Sequence, residues 1–399
     1  MCKCSQRDCD LEVFENSDKC ILHCEKDDWY RKLEYNNHKD WSMSKDKIDF
    51  FWNKFNNFIK KSTQDESLKC NFNDVVFPAM GYREYPKVAI FKLLSLKNCI
   101  FLDEIDLSFF LDAKSLEIDN CTFTEDVEAK EVIHKEQFMF QNNLVLKNIK
   151  FVNIEFKGTS SFMKNKFKKE LTFQNMRFDD YALFNNSEIE DLFFRNTFFR
   201  KESNFLDIKL SKVGDRETAR IIKDSFEQQN NIIESNKFYA LEMKEREDEL
   251  SPKKDFFEWI VFKTHGLVSN HSQDWVLVLF WIISLTFITS FIKIIDSNIS
   301  QLTEKIVLSF IVTSIVFFIN INVSNTKKIY YIICSLVYYI LYSAFTKDFA
   351  LNIFSNTINP FSIMTGKEEL TFGILLYKIT IAYLIYQLIV SIRQNTRRK

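Results

Sequence analysis

Hydrophobic and polar positions alternate in more than one way along this chain. From Leu146 onward, large apolar residues recur as Phe151, Phe156, Phe162, Phe167, Phe173, Phe178, Phe184, Ile189, Phe194 and Phe199. The step is mostly five, with single steps of six between blocks, so neither a helix at 3.6 nor a strand at 2.0 generates the series. Two residues before, the position is often small or apolar, as at Ile149, Ile154, Ser160, Leu171, Met176, Ala182, Ser187 and Leu192. A looser run precedes it, with Cys99 before Phe101 and Cys121 before Phe123, and an irregular insertion is expected near 125–143. Asn recurs just ahead, in NCIF, NCTF, NKF, NMRF and NTFF.

The pattern changes after Trp275. Residues 275–295, 306–323, 329–345 and 370–392 are long apolar stretches with almost no charge. At 1.5 Å per residue, a stretch of about 20 residues spans a bilayer core of about 30 Å. Four transmembrane helices are predicted; a variant has three, with one short segment at the interface. Elsewhere, residues 29–66 read as helical and aromatic. Asp215 to Glu247 reads as one or two helices with the stripes Ala219, Ile222, Phe226 and Ile233, Phe238, Leu241. Phe256, Phe257, Trp259, Ile260 and Phe262 read as a short amphipathic piece at the membrane surface.

The ladder resembles the pentapeptide-repeat family, whose repeat centre is Leu or Phe and whose position two before is small. The resemblance covers about residues 96 to 205. It implies a right-handed quadrilateral β-helix, four repeats to a coil of about 20 residues, with central Phe side chains in one interior column. At about 4.8 Å per coil, four to five coils follow. The apolar C-terminal region is similar to channel-like regions of membrane-attached bacterial members. The expected organisation is multi-domain: a Cys/His zinc-knuckle segment (1–28), a helical cap region (29–90), the β-helix (91–210), a helical connector (211–272) and an α-helical transmembrane domain of about four helices (273–399).

Charge and cysteine content refine this picture. Lys and Arg total 53 against 54 Asp and Glu, a net charge of −1. No global attraction to nucleic acid follows. The N-terminus MCKCSQRDCD has no apolar signal-peptide core. Basic flanking residues vote six to four: Lys327, Lys328, Arg393, Arg397, Arg398 and Lys399 against Lys293, Lys305, Lys347 and Lys367. Both termini are therefore expected in the cytoplasm, with the protein multi-pass in a bacterial inner membrane. In a reducing compartment the string C-x-C-x4-C-x10-C-x2-H-C reads as metal-binding, not as disulfides. Cys4, Cys9, Cys20 and His23 are the expected ligands of a structural zinc, with Cys2 and Cys24 as alternates.

Glycine is scarce, with six in the chain. They write no phosphate-cradling loop and no nucleophile elbow. Five scattered histidines offer no constellation, so an enzyme is not expected. Between the third and fourth apolar segments lies TKDFALNIFSNTINPFSIMTGKEEL, with Asn352, Asn356, Asn359 and a helix-stopping Pro360. It has the layout of a re-entrant loop, yet Thr365 and Gly366 are far from a selectivity filter. Lys378 stands inside the fourth apolar segment; it is either deep and functional or snorkels to the surface. The principal reading is a non-enzymatic, membrane-anchored interaction or sensing protein. Its partners are the lipid bilayer and a protein partner or further copies of itself, with no nucleic acid. The alternative is an oligomeric channel-like or pore-forming effector gated by its cytoplasmic part, in stress or phage defence. A DNA mimic, as among gyrase-binding relatives of the repeat family, needs an acidic solenoid, and KNKFKKE at 164–170 is basic.

Overall fold

A computed structural model describes residues 3–6, 9–32, 39–62, 68–80, 91–324, 326–365 and 371–396. The chain forms two units, residues 1–229 and 230–399.

The first unit is built on a parallel β-solenoid of about 6 turns over residues 69–213. Its first side is a seven-stranded parallel sheet running from Lys69–Asn73 to Ser203–Asn204. A ten-stranded sheet wraps the next two sides, because Lys166–Gln174 and Glu188–Arg195 run through the corner between them. The fourth side is the short four-stranded sheet from Ile133–His134 to Phe198–Phe199.

Through most of the solenoid successive coils are offset by 22 residues, as in Cys121–Asn143 and Asn143–Asn165, not 20; the first offset is 24, Lys69 to Leu93, and the last 21, Ala182 to Ser203. The alternation of five- and six-residue steps supplies the two additional residues. Each half-coil also carries one residue in the left-handed region: Asn120, Glu131, Asn142, Asn153, Lys164, Asn175 and Asn186 all have φ between 54° and 60°. This explains the Asn of NCIF, NCTF, NMRF and NTFF, the non-glycine residue that best tolerates this conformation, whereas the Asn of NKF, Asn165, faces the interior. The exposed amides also bond from coil to coil: Asn120 donates to Asn98 at 2.8 Å, and Asn175 to Asn153 at 2.9 Å. Inside, the position two before the repeat centre forms a second ladder of Cys99, Cys121, Asn143, Asn165 and Ser187. Asn143 Oδ1 accepts from Cys121 N at 2.8 Å, and Asn165 Nδ2 donates to Phe140 O at 2.7 Å. These bonds satisfy backbone groups that the corners would otherwise leave buried and unpaired.

The phenylalanines do not share one column. Each side has its own: Phe77, Phe101 and Phe123 stack at 4.5 Å between centroids. Phe151, Phe173 and Phe194 stack at 5.3 and 5.2 Å, Phe156, Phe178 and Phe199 at 5.4 and 4.9 Å, and Phe162, Phe184 and Phe205 at 5.1 and 4.9 Å. The expected irregular insertion at 125–143 is instead a regular part of the solenoid, in strands Val127–Lys130, Ile133–His134 and Phe138–Gln141. Its centres are Ala129 and His134 in place of Phe, which hid the period. The buried His134 imidazole lies between Leu111 O and Gln137 O, at 2.9 and 3.0 Å.

Both ends of the solenoid are covered, as stacked repeats require. Helix α1 (Lys45–Ser62) lays Phe51, Trp52 and Phe55 against Phe72 and Phe77 of the first coil. The solenoid begins at Lys69, inside the stretch expected to cap it. A four-residue helix, α2 (Ser108–Leu111), replaces one strand of the second coil. Helix α3 (Arg216–Gln228) closes the other end with Ala219, Ile222 and Phe226 buried, the stripe read from the sequence. Its Thr218 Oγ1 accepts from Phe194 N at 2.7 Å.

The second unit is helical. α4 (Ile232–Glu249) and α5 (Phe256–Ser269) precede α6 (Trp275–Asn298), α7 (Leu302–Ser324), α8 (Lys328–Thr346), the short α9 (Asn352–Ile358) and α10 (Phe372–Thr396). In α4 only Phe238 of the second expected stripe is buried; Ile233 and Leu241 are exposed. Four helices, α6, α7, α8 and α10, are long and apolar enough to cross a membrane. α6 is the hub, packing against α5, α7, α8, α9 and α10. Several of its polar side chains are absorbed locally, as where Thr286 Oγ1 donates to Ile282 O at 2.7 Å and accepts from Tyr377 at 3.0 Å.

Candidate metal centre and the buried lysine of the helical unit

The N-terminal segment folds with few apolar residues, so its order depends on polar groups. Cys4 N donates to Leu11 O, and Cys20 closes a turn in which His23 N and Cys24 N both donate to Cys20 O. That turn points Cys20 and His23 the same way, because residues three apart share a face. The ligand atoms of Cys4, Cys9, Cys20 and His23 all lie within 4.8 Å of one another, a group that can hold a metal ion. Cys9 Sγ and Cys20 Sγ are 3.7 Å apart, Cys4 Sγ and His23 Nδ1 3.6 Å, and Cys20 Sγ and His23 Nδ1 3.2 Å. The edge of a tetrahedron with metal–sulfur bonds of about 2.3 Å is about 3.7 Å, so the donors already stand at coordinating separations.

The surroundings fit a cation. Cys20 N donates to Cys4 Sγ at 3.2 Å, the kind of bond that steadies a thiolate. Burial pushes the Cys20 thiol up to about 12 and raises Cys9 as well. At Cys4 burial acts the same way, but backbone N–H donors from Cys20 and Gln6 outweigh it and the thiol falls below its ordinary value. Three thiolates this close are disfavoured by burial and mutual repulsion unless a cation lies among them. Burial lowers the His23 imidazole, which favours the neutral, ligating ring. Its other nitrogen, Nε2, meets Asn73 O at 3.1 Å, a second partner that fixes the ring.

Cys24 does not join the group. Its thiol points to Ile21 O and lies 4.0 Å from Lys26 Nζ. Cys2 lies outside the described residues. The sequence reading missed Lys26: its ammonium is buried between the Trp29 and Phe51 rings, 5.2 and 5.0 Å from their centroids. It donates to Cys24 O at 3.0 Å, and burial draws it down to about 8. A lone Lys two residues beyond a Cys carries no sequence signal for such a cage. Beyond the cluster, Val76 N donates to Leu22 O at 2.9 Å and Gln6 Nε2 to Asp74 at 2.6 Å. The Cys/His segment is thereby seated on the first coil.

In the second unit Lys378 is buried, and its ammonium donates to Thr357 O at 2.7 Å and Asn359 O at 2.6 Å. These carbonyls are the C-terminal end of α9. At the other end Asp348 accepts from Asn352 N and Ile353 N, at 2.8 and 2.9 Å, and from Tyr342 at 2.8 Å. An anion at the N-terminus and a cation at the C-terminus both suit the helix dipole. The side chains of Asn352, Asn356 and Asn359 are exposed, and Lys378 meets a carbonyl of Asn359, not its amide. Lys378→Met is expected to strand those two carbonyls at about 1–3 kcal/mol each. Hydrogen exchange of amides 352–358 should rise at least about tenfold, while exchange in α6 stays unchanged.

No family model, curated protein or solved structure matches the chain. The class rests on its own architecture: a Cys/His-rich segment, a β-solenoid consistent with pentapeptide repeats, a helical connector, and four helices able to span a membrane.

Proposed function

We propose that this is a non-enzymatic, membrane-anchored repeat protein whose solenoid is an interaction or sensing surface. The observation that carries the reading is the inside–outside division of the coils. The interior is filled by the phenylalanine columns and the Cys–Asn–Ser ladder, and the functional groups left to meet a partner stand outside in rows. Lys157 bridges Glu155 and Asp179 at 2.5 and 3.1 Å, with Arg177 on Asp179 at 2.8 Å. Glu188 bridges Lys209 at 3.0 Å and Lys166 at 3.8 Å. Such rows are flat and of mixed charge, which suits a protein partner better than a polyanion. The four apolar helices supply the anchor, in a bacterial inner membrane with both termini cytoplasmic. Structural zinc held by Cys4, Cys9, Cys20 and His23 secures the cap of the solenoid.

The second reading is an oligomeric pore, favoured by α9, a short helix held at both ends by charge beside the bundle. Reconstitution of the full chain into planar bilayers separates the two. Anchoring predicts no conductance above bare bilayer and a monomer or dimer in detergent. Discrete conductance with a closed ring of four or more copies would overturn it in favour of the pore.

A further inference from the structure

Five histidines scattered through the sequence gave no expected constellation, but the fold of the second unit joins two of them. His265, on α5, and His271, in the turn before α6, face each other with Nδ1 atoms 3.3 Å apart. Beyond them the chain continues both ways. His265 Nε2 meets Ser272 Oγ at 3.0 Å, and His271 Nε2 meets Glu247 Oε2, on α4, at 3.2 Å. His271 and Ser272 are buried.

The turn that creates this meeting is unusual. Asn270, His271 and Ser272 are three consecutive residues in the left-handed region, with φ of 46°, 52° and 68°. Each costs about 1 kcal/mol or more, and such strain concentrates where function over-determines the backbone. The turn is held by Ser269 Oγ, which accepts from Ser272 N at 2.9 Å, and by Gln273 Nε2, which donates to Asn236 O of α4 at 3.0 Å. Gly266 is also committed to the site. A Cβ there would come 2.6 Å from Glu247 Oε2 and 3.2 Å from His271 Nε2.

Proton positions follow from the contacts. The Glu247 carboxylate only accepts, so His271 Nε2 carries a proton. Neutral His271 then accepts at Nδ1 from His265 Nδ1–H, and His265 Nε2 accepts the Ser272 hydroxyl. One added proton fits: His271 becomes an imidazolium beside Glu247, the His265 tautomer reverses, and His265 Nε2–H donates to Ser272 Oγ. A second proton sets two Nδ1–H groups against each other across 3.3 Å. We propose that the Ser272–His265–His271–Glu247 chain is a proton-sensing clamp, closed with no proton or one, which the second proton opens by parting the end of α5 from the turn before α6.

Among the described residues, a handful of other groups face the pair. From α4 these are Glu247 and Lys244, from α5 Lys263, which is paired with Glu247, and from α10 the neutral Gln387. Burial lowers both imidazoles from the ordinary 6.5, with His265 adding to the effect at His271 and Glu247 opposing it. The sign is therefore fixed. A base whose folded value is lowered stabilises the closed form at pH above 6.5, and that stability is lost as pH falls below it.

The test is an imidazole NMR titration of the full chain in detergent, with hydrogen exchange of residues 266–272 over pH 8 to 4.5, corrected for intrinsic rates. The two rings are expected to titrate as one coupled pair in two steps below 6.5. Exchange at 266–272 should rise by one decade for each unit by which a step lies below 6.5, and so mainly across the lower, more displaced step. In His265→Asn that rise should vanish. Gly266→Ala, which removes no titratable group, should raise exchange already at neutral pH and flatten the acid response. Independent single-step titration of the two rings, exchange that ignores pH or rises mainly on the upper step, or an acid response retained in His265→Asn would each overturn the clamp. The titration of the unaltered protein stands even where a variant fails to fold.

Discussion

Replacing Cys20 with alanine is expected to strip the proposed zinc from the protein and unfold the segment around it. Structural zinc contributes about 10–16 kcal/mol of apparent binding free energy in small domains. A quarter of that, for one of four ligands, is about two to three decades in affinity. The Cys20 thiol is fully buried and stands within coordinating distance of both Cys9 and His23, so no water-exposed donor replaces it. Metal content should fall from one equivalent per chain to near none, and amides of residues 9–32 should lose protection. Because His23 also reaches Asn73 and Leu22 accepts from Val76, protection at 69–77 should fall as well, while coils beyond Phe138 keep theirs. Cys24→Ala is the control. Its thiol faces Ile21 O, outside the donor group, and zinc should be retained. Loss of zinc on Cys24→Ala, or no zinc in the unaltered protein grown with it, would sink the assignment.

Phe173→Ala is the second large effect, expected at about 3–5 kcal/mol by denaturant unfolding of the first unit. Phe173 is fully buried at the centre of the stack. Its ring meets Phe151 above and Phe194 below at 5.3 and 5.2 Å, and Phe162, Phe178 and Phe184 across the interior at 5.1, 6.0 and 5.7 Å. The hole cannot close, because the strands on either side are fixed by pairing in register to the coils above and below. Phe198→Ala removes the same atoms from an outward position that is 66% exposed, and should change stability by no more than about 0.5 kcal/mol. Equal effects from the two would mean that the columns do not carry the stability of the solenoid.

Much of this molecule is legible because its period is local. Phe151 to Phe199 recur at a spacing only a coil of stacked short strands can use, and the four apolar segments exceed what a soluble core helix needs. Where the period breaks, legibility ends. Ala129 and His134 hid a regular part of the solenoid, and the coil starting at Lys69 was masked by its helical neighbour. Cys4, Cys9, Cys20 and His23 could be chosen from six candidates by spacing, but the turn that sends Cys24 toward Lys26 is a matter of side-chain direction. Lys378 left two readings open in the sequence, and its meeting with Thr357 O and Asn359 O depends on how α9 folds back against α10.

The sequence by itself determined the elements that repeat or persist: the phenylalanine ladder, the apolar segments and the Cys/His cluster. Each is set by chemistry within a few residues, where side-chain spacing and solvent transfer dominate. Tertiary structure alone decided the meetings between distant residues: Lys26 between two aromatic rings, Lys378 at the end of α9, and Glu247 with His271 and His265. Those contacts depend on a strained turn, on glycine at 266 and on helix packing, and packing is a property of volumes in three dimensions that no linear pattern encodes.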